Sequence, residues 1–176
     1  MPQLIKNGAL VDDPWSLRRE LSSLAELGTG TREIVSLPSW LAHHDALIAR
    51  GNVGVWLAPD ADPEALAADV GTLPLVAVDF PAFTDGRGYS IGRLLRDRYG
   101  FTGELRAIGD ILRDQLFALA ECGFDAFAIR SDRDAAAALA GLRDFTGIYA
   151  TTSRTPQPWF RRRKESSDKP VSAGGE

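Results

Sequence analysis

The 176-residue sequence has only one cysteine, Cys122, and two histidines, the adjacent His43 and His44. A single thiol cannot form a disulfide within the chain, a CxxC redox pair or a cysteine-held iron–sulfur cluster. With so few sulfur and imidazole ligands, we expect no metal site. Gly86 and Gly88 lack the third glycine of a dinucleotide-binding motif and the lysine of a P-loop, so no cofactor signature is recognisable.

Long apolar runs are also missing. No stretch approaches the roughly 18 uninterrupted apolar residues that span a bilayer. The first residues, MPQLIKNGALVDD, lack the charged leader and long apolar segment of a signal peptide. We therefore expect a soluble, cytoplasmic protein with no membrane partner, which suits a lone reduced thiol.

Basic side chains are scarce in most of the chain. The first 150 residues carry 14 Lys and Arg against 21 Asp and Glu, which argues against a nucleic-acid partner. Residues 151–176 carry six basic and three acidic side chains in a segment rich in proline and serine. This shift predicts one folded domain over residues 1–150 and a disordered basic tail over 151–176. The basic run 161–164 could be a partner-binding patch or only a solubilising segment.

What the sequence does contain is a regular alternation of strand and helix patterns. The Asn7–Gly8 pair predicts an N-terminal hairpin. Five apolar runs predict strands over 33–37, 53–57, 75–80, 104–108 and 126–129, with helices opening at Ser39, Asp62, Ser90, Asp110 and Ser131. We expect a single three-layer α/β domain with a mainly parallel sheet of about five strands, crossover helices and a small hairpin at an edge. Eight βα units do not fit this length, so a complete TIM barrel is excluded.

In α/β folds, ligands bind outside the carboxyl ends of the strands. Those positions are 58–60, 79–90, 109–113 and 130–133, and the longest and most polar is 79–90. There, Arg87 lies between two glycines and could clamp an anion with both arms of its guanidinium. It could equally brace its own loop against Asp85. The role of Asp110 is undecided in the same way, because this residue could face a cleft or only cap a helix.

Nine residues of this region are candidates for an anion-binding or partner-binding surface. Ser90 is expected to begin a helix whose first amides bind anions, and Tyr89 could flank a ligand. A Ser-His-Asp triad is disfavoured because Ser90 has no histidine near it in sequence. We assign no catalytic residue. The candidates are Asp79, Asp85, Arg87, Tyr89, Ser90, Arg106, Asp110, Arg113 and Gln115.

The stretch FTDGRGYSIGRLLRDRYGFTGELRAIGDILRDQLFALAECGFDAF, residues 83–127, is long and unusual in composition. It closely resembles an uncharacterised bacterial family, domain of unknown function 934, and the similarity extends over about residues 33–148. Members of that family are commonly encoded beside the haemoprotein subunit of assimilatory sulfite reductase, and they are often described as oxidoreductases of sulfite reduction. The resemblance therefore implies a role in sulfur assimilation.

An oxidoreductase needs a cofactor or a thiol pair to carry electrons, and the residues show neither. We therefore expect an accessory protein of sulfite reduction. It would act with the sulfite reductase haemoprotein by binding that partner or a small anionic ligand through residues 79–115. Two alternatives stay open: a small oxidoreductase with an unrecognised cofactor, and a non-redox α/β enzyme acting on an anionic metabolite. Whether the protein is an enzyme is not decided by its sequence.

Overall fold

The computed structural model describes residues 3–130, 132–143 and 151–154 of the chain. The strands of the described part are β1 (Gln3–Lys6), β2 (Ala9–Asp12), β3 (Trp15–Leu17), β4 (Arg32–Ser36), β5 (Val53–Leu57), β6 (Leu75–Phe80), β7 (Glu104–Gly109) and β8 (Ala126–Ala128). The α-helices are α1 (Leu37–Ala42), α2 (His44–Arg50), α3 (Arg87–Arg93), α4 (Leu116–Glu121) and α5 (Ala135–Leu139).

All eight of these strands belong to one mixed sheet, in the order β2-β1-β8-β7-β6-β5-β4-β3. Strands β3 to β8 are parallel to one another, and β1 is antiparallel to both β2 and β8. The expectation of about five parallel strands is too low, and the sheet is less uniformly parallel than predicted. The N-terminal hairpin is confirmed, with positive φ angles of 51° at Asn7 and 75° at Gly8.

The α-helices pack on one face of the sheet. Six parallel strands lie side by side in chain order, and right-handed crossovers between them then place α1 to α4 on the same side. Each α-helix, α5 included, contributes at least one residue to the same large core cluster, for example Trp40, Leu47, Ile91, Leu116 and Ala138. The cluster on the opposite face consists of strand residues alone. The prediction of three layers is therefore wrong, since no described α-helix covers that second face.

The sheet buries its second face by curling. Strands β2 and β3 are the two edges of the order, yet only Asp13 and Pro14 separate them along the chain. Three peptide units span at most about 11 Å. The edges of a flat eight-stranded sheet would lie about 33 Å apart. The ends of β2 and β3 must therefore approach each other, and the helix-free face becomes the inner face of a strongly curved sheet.

Buried ion pairs cross this inner face. Arg106 on β7 is only 2% exposed and donates from Nε to Glu104 Oε1 and from Nη1 to Asp13 Oδ2, both at 2.7 Å. Lys6 Nζ donates to the other Glu104 oxygen at 2.7 Å. Because Asp13 lies between the two edge strands, these contacts tie β7 and β1 to the β2–β3 connection. The four charges sum to zero, so the network carries no net charge.

Several helix ends differ from the predictions. Ser36, not Ser39, caps α1 by accepting the Ser39 N–H at 3.3 Å. The helix expected from Asp62 to about Val70 is a 3-10 helix over Pro63–Leu66, with Asp62 as its cap. The predicted helix stop at Gly123 is confirmed, because this glycine follows α4 with a φ of 96°.

Residues 151–154, predicted to lie in the disordered tail, contact the domain. Thr152 Oγ1 donates to Glu121 Oε2 on α4 at 2.6 Å. The rest of the predicted tail, including the basic run 161–164, lies outside the described residues. Within the part of the chain that the structure describes, no helix is long and apolar enough to cross a membrane.

A histidine–carboxylate pair connects α2 to the segment before β6. His44 Nε2 lies 3.0 Å from Asp69 Oδ1, and the buried Asp69 also accepts the Trp40 indole N–H at 2.9 Å. Hydrogen bonding to Asp69, and less strongly to Asp45, raises the pKa of His44 above its usual value near 6.5. The protonated imidazolium is thus favoured in the folded protein.

We expect this pair to make stability depend on pH. A histidine whose folded pKa is raised stabilises the protein fully below its unfolded pKa, and the stabilisation disappears as pH rises through the folded pKa. Urea midpoints measured between pH 5 and 9 should therefore fall with pH more steeply in the wild type than in His44→Gln. His43→Gln, which keeps the pair with Asp69, should follow the wild type. Identical pH profiles for wild type and His44→Gln would contradict this role.

Candidate functional site

Two clefts open at the carboxyl ends of the parallel strands. Cleft A has a volume of about 460 Å³ and cleft B of about 390 Å³. Cleft A is lined by Arg19, Ser36, Leu37, Pro38, Trp56, Ala58, Asp60 and Ala61. Cleft B is lined by Arg19, Asp79, Phe80, Pro81, Gly109, Asp110 and Arg130. Arg19 lines both, so it marks the border between them.

Arg19 is held in place on two sides. It follows β3, and its Nη2 donates to Asp79 Oδ1 at 2.8 Å while Nη1 lies 2.8 Å from Oδ2. Its guanidinium carbon also lies 5.1 Å from the centroid of the Trp56 ring, a cation–π distance. The Trp56 indole N–H in turn donates to the Arg18 carbonyl at 3.0 Å. With 48% of its side chain exposed, Arg19 is ordered and still accessible to a ligand.

Asp79 lies near the end of β6 on the inner face, and its approach to β7 requires a glycine. Gly109 has a φ of 99°, and a Cβ there would lie 2.4 Å from the Phe80 carbonyl oxygen and 2.8 Å from Asp79 Oδ1. Any larger residue would be both strained and in collision. The absence of a side chain at residue 109 therefore makes room for the Asp79 carboxylate.

The far end of cleft B is formed by a second ion pair. Arg130, which follows β8, donates from Nη1 to Asp110 Oδ1 at 2.8 Å and from Nε and Nη2 to Asp132, both at 2.9 Å. The hydrogen bond from Arg130 is the main reason that the pKa of Asp110 is lowered. The helix predicted to open at Asp110 begins later, at Arg113, and Leu112 is its cap. Asp110 therefore does not cap a helix.

Asp110 and Gln115 hold the loop after β6 from both sides. The Phe83 N–H donates to Asp110 Oδ2 at 3.2 Å, and the Phe83 carbonyl accepts from Gln115 Nε2 at 3.0 Å. Gln115 is itself buried and accepts the Leu112 N–H at 2.9 Å. Phe83 is nevertheless 58% exposed, and it lies in the loop whose Pro81 lines cleft B.

The other candidates of residues 79–90 have structural contacts. Arg87 donates from Nε and Nη2 to the two oxygens of Asp85 at 3.0 and 2.7 Å, which lowers the pKa of Asp85. This arginine therefore braces its own loop. Tyr89 packs edge-on against Phe80 with ring centroids 5.5 Å apart, and burial raises its pKa. Ser90 is exposed within α3, which begins at Arg87, so the predicted cap is wrong and Ser90 does not lie at the start of the helix.

Two predicted arginines lie away from the clefts. Arg106 is inside the curved sheet, in the middle of β7 and not at its end. Arg113 is exposed and lies beside Gly141. A Cβ at Gly141 would lie 2.6 Å from the Arg113 carbonyl oxygen. Of the nine candidates, the structure brings together Asp79 and Asp110 at the cleft, with Gln115 supporting the adjacent loop.

Arg19, Trp56 and Arg130, which shape the clefts, were not among those candidates. Arg130 lies in one of the predicted strand-end segments, so the carboxyl-end rule could have found it. Trp56 fits the pattern of a core aromatic. Arg19 had no signal, since the three-residue strand β3 before it is too short to show alternation.

The clefts can both donate and accept hydrogen bonds. Arg19 and Arg130 face three lining carboxylates, those of Asp60, Asp79 and Asp110. The guanidinium groups suit an anionic group, and the carboxylates suit hydroxyl or ammonium donors. Within residues 3–130, 132–143 and 151–154, no group of three or more histidine, cysteine or acidic side chains could hold a metal ion.

A cavity of about 610 Å³ is larger than either cleft but lies at the other end of the sheet. Its walls include the Asn7–Gly8 turn and Asp125, which precedes β8. These residues mark the amino ends of the parallel strands. Ligand sites of α/β proteins lie at the carboxyl ends, so clefts A and B are the better candidates.

Comparison with known families gives one match. Residues 54–160, more than half of the chain, match the family described as bacterial protein of unknown function (DUF934). No curated protein matches. The matched segment contains Trp56, Asp79, Gly109, Asp110 and Arg130, and it begins after Arg19. The chain therefore belongs to the bacterial DUF934 family.

Proposed function

We propose that this protein is an accessory protein of assimilatory sulfite reduction that binds a small anion at clefts A and B and acts with the sulfite reductase haemoprotein. The pathway and the partner follow from the family resemblance. The anion site is supported by the position of Arg19. This accessible guanidinium is oriented by Asp79 and Trp56 at the strand ends where α/β proteins bind ligands.

The ion pair between Arg19 and Asp79 is compatible with ligand binding. Arg19 compensates the charge of the buried Asp79 carboxylate, and 48% of its side chain is still exposed, so the guanidinium also stays accessible to a ligand. A guanidinium has five N–H donors, and Asp79 occupies the two terminal nitrogens from one side. An anion approaching from the solvent can therefore bind Arg19 without separating it from Asp79.

Growth on different sulfur sources tests the role. A deletion strain carrying Arg19→Gln should fail to grow on sulfate or sulfite and should grow on sulfide. Arg93→Gln is the matched control, because Arg93, the last residue of α3, is exposed and pairs with Asp97. That strain should grow on all three sources. Normal growth of the Arg19→Gln strain on sulfite, with the folded variant present in the cells, would refute the proposal.

Direct binding provides a second test. Calorimetric titration of the purified protein with sulfite should show binding that Arg19→Gln weakens by about tenfold or more. The haemoprotein should co-purify with the wild-type protein. An absence of both sulfite binding and co-purification would count against an accessory role.

A second candidate is an enzyme acting on an anionic metabolite at the same clefts. It is favoured by Asp79, a carboxylate at the end of a central strand and at the wall of cleft B. Loss of growth on sulfite with no haemoprotein association would favour this candidate. A visible absorption band in the purified protein would instead favour the oxidoreductase.

A further inference from the structure

Clefts A and B adjoin at Arg19, which lines both, and together they are called the groove below. The two ends of this groove differ in chemistry. At the cleft A end the walls are largely apolar, with Leu37, Pro38 and Trp56. At the cleft B end they are Asp79, Asp110 and Arg130. A ligand that fills the groove needs an apolar part at one end and a polar, charged part at the other.

The cleft A end suits a flat ring. Trp56 is half-buried, and its indole is oriented by the Arg18 carbonyl and by the Arg19 guanidinium 5.1 Å from the ring centroid. Because Arg19 covers one face of the indole, the outer face of its planar guanidinium is the surface on which an aromatic heterocycle can stack beside Trp56. The volume of about 460 Å³ lies within the range of small-molecule sites.

Asp79 suits a pair of hydroxyl groups. Each of its oxygens receives one N–H group of Arg19. An ionised carboxylate has about four lone-pair positions, so each oxygen can accept one more donor. Two hydroxyls on adjacent carbons supply two such donors side by side. A carboxylate near a strand end that binds a ribose in this way is a recurring arrangement in nucleotide-binding α/β proteins.

Arg130 suits a phosphate at the end of cleft B. Its side chain is 42% exposed, and three of its five N–H groups already donate to Asp110 and Asp132. The two remaining N–H groups can donate to a phosphate. Asp110 and Asp132 repel any phosphate, and they repel diphosphates and triphosphates more strongly than a monophosphate.

We propose that this groove binds a nucleoside monophosphate, with the heterocycle at Trp56, the vicinal hydroxyls at Asp79 and the phosphate at Arg130. The inference rests on the proposed function, because it specifies the anionic ligand of the same site. An adenine nucleotide and a flavin mononucleotide share this chemistry of flat ring, adjacent hydroxyls and one phosphate.

Calorimetric titrations of the full-length protein test the proposal. The probes are AMP, its 2′,3′-dideoxy analogue, flavin mononucleotide and inorganic phosphate. At least one of the two mononucleotides should bind about tenfold or more tightly than phosphate, and the tighter one identifies the source. The dideoxy analogue should bind about tenfold more weakly than AMP if AMP is the ligand.

Variants separate the contributions of the two ends. Asp79→Asn should weaken binding of the mononucleotide and leave the affinity for phosphate within about twofold of the wild type. Asp97→Asn is the control. It changes an exposed carboxylate outside the groove and should alter neither affinity. Trp56→Leu should likewise weaken only the mononucleotide.

The possible failures are distinguishable. Mononucleotides that bind no more tightly than phosphate, or an Asp79→Asn variant that binds them normally, would overturn the nucleotide proposal while leaving an anion site. Binding of neither phosphate nor sulfite would overturn the anion site as well. Tight nucleotide binding together with normal growth of the Arg19→Gln strain on sulfite would overturn only the role in sulfite reduction.

Discussion

Replacing Arg106 with methionine is expected to lower the free energy of unfolding by about 3–5 kcal/mol, the cost of breaking a buried ion pair from one side. Methionine fills a similar length of space but leaves the carboxylates of Glu104 and Asp13 without their shared cation. Equilibrium urea unfolding measures the loss. Arg93→Met, which removes the exposed pair with Asp97, should cost less than about 0.5 kcal/mol.

A double variant tells whether Arg106→Met is destabilised by uncompensated charge or by poorer packing. In Asp13→Asn/Arg106→Met, the Asp13 carboxylate is replaced by a neutral amide, while Glu104 keeps its pair with Lys6. We expect this protein to be more stable than the single variant Arg106→Met, because less uncompensated charge is buried. A loss below about 1 kcal/mol for Arg106→Met would mean that the ion pairs across the inner face do not hold the sheet in its curve.

The second large effect is expected from Gly109→Ala. A φ of 99° is costly for alanine, and the new Cβ would lie 2.4 Å from the Phe80 carbonyl oxygen. Strain and collision together should lower the free energy of unfolding by about 2–4 kcal/mol. Because the Cβ also meets Asp79 Oδ1, the pair between Asp79 and Arg19 should be displaced, and sulfite binding should weaken with it.

Gly71→Ala is the matched control for this substitution. A Cβ at Gly71 meets nothing within 4 Å, and its backbone does not lie in the left-handed region. Its unfolding free energy should stay within about 0.5 kcal/mol of the wild type. An equal effect of the two substitutions would show that the close contact at residue 109 does not matter.

Much of the sheet could be predicted because its signals are local. Val53–Leu57 and Leu75–Phe80 are short runs of mainly apolar residues, and such runs are typical of strands buried on both faces. What the pattern could not show was how the second face is buried. A continuous apolar run predicts burial on two sides, but it does not distinguish a second layer of helices from a sheet that curls over itself. The three-layer prediction failed on that ambiguity.

Part of the site could be located from the sequence because its position follows from the predicted strands. Asp79 and Asp110 follow predicted strands, so the carboxyl-end rule placed them correctly beside one cleft. Arg87 and Ser90 follow the same strand, but local contacts decide their positions. Arg87 binds an acid two residues away, and Ser90 falls one turn inside its helix. Chain position alone cannot separate these two outcomes.

The residues themselves specify a strand–helix alternation, an Asn7–Gly8 hairpin and a polar segment after residue 79, since each depends on neighbours a few positions away. The curvature and the cleft depend on long-range contacts. Arg106 meets Asp13 across 93 positions, and Arg19 meets Asp79 across 60. Such pairings arise from strand order and register, which set which side chains face one another across the inner face. No local periodicity encodes that arrangement. Only in the folded chain does Arg106 become part of a buried ion pair and Arg19 part of an accessible cleft.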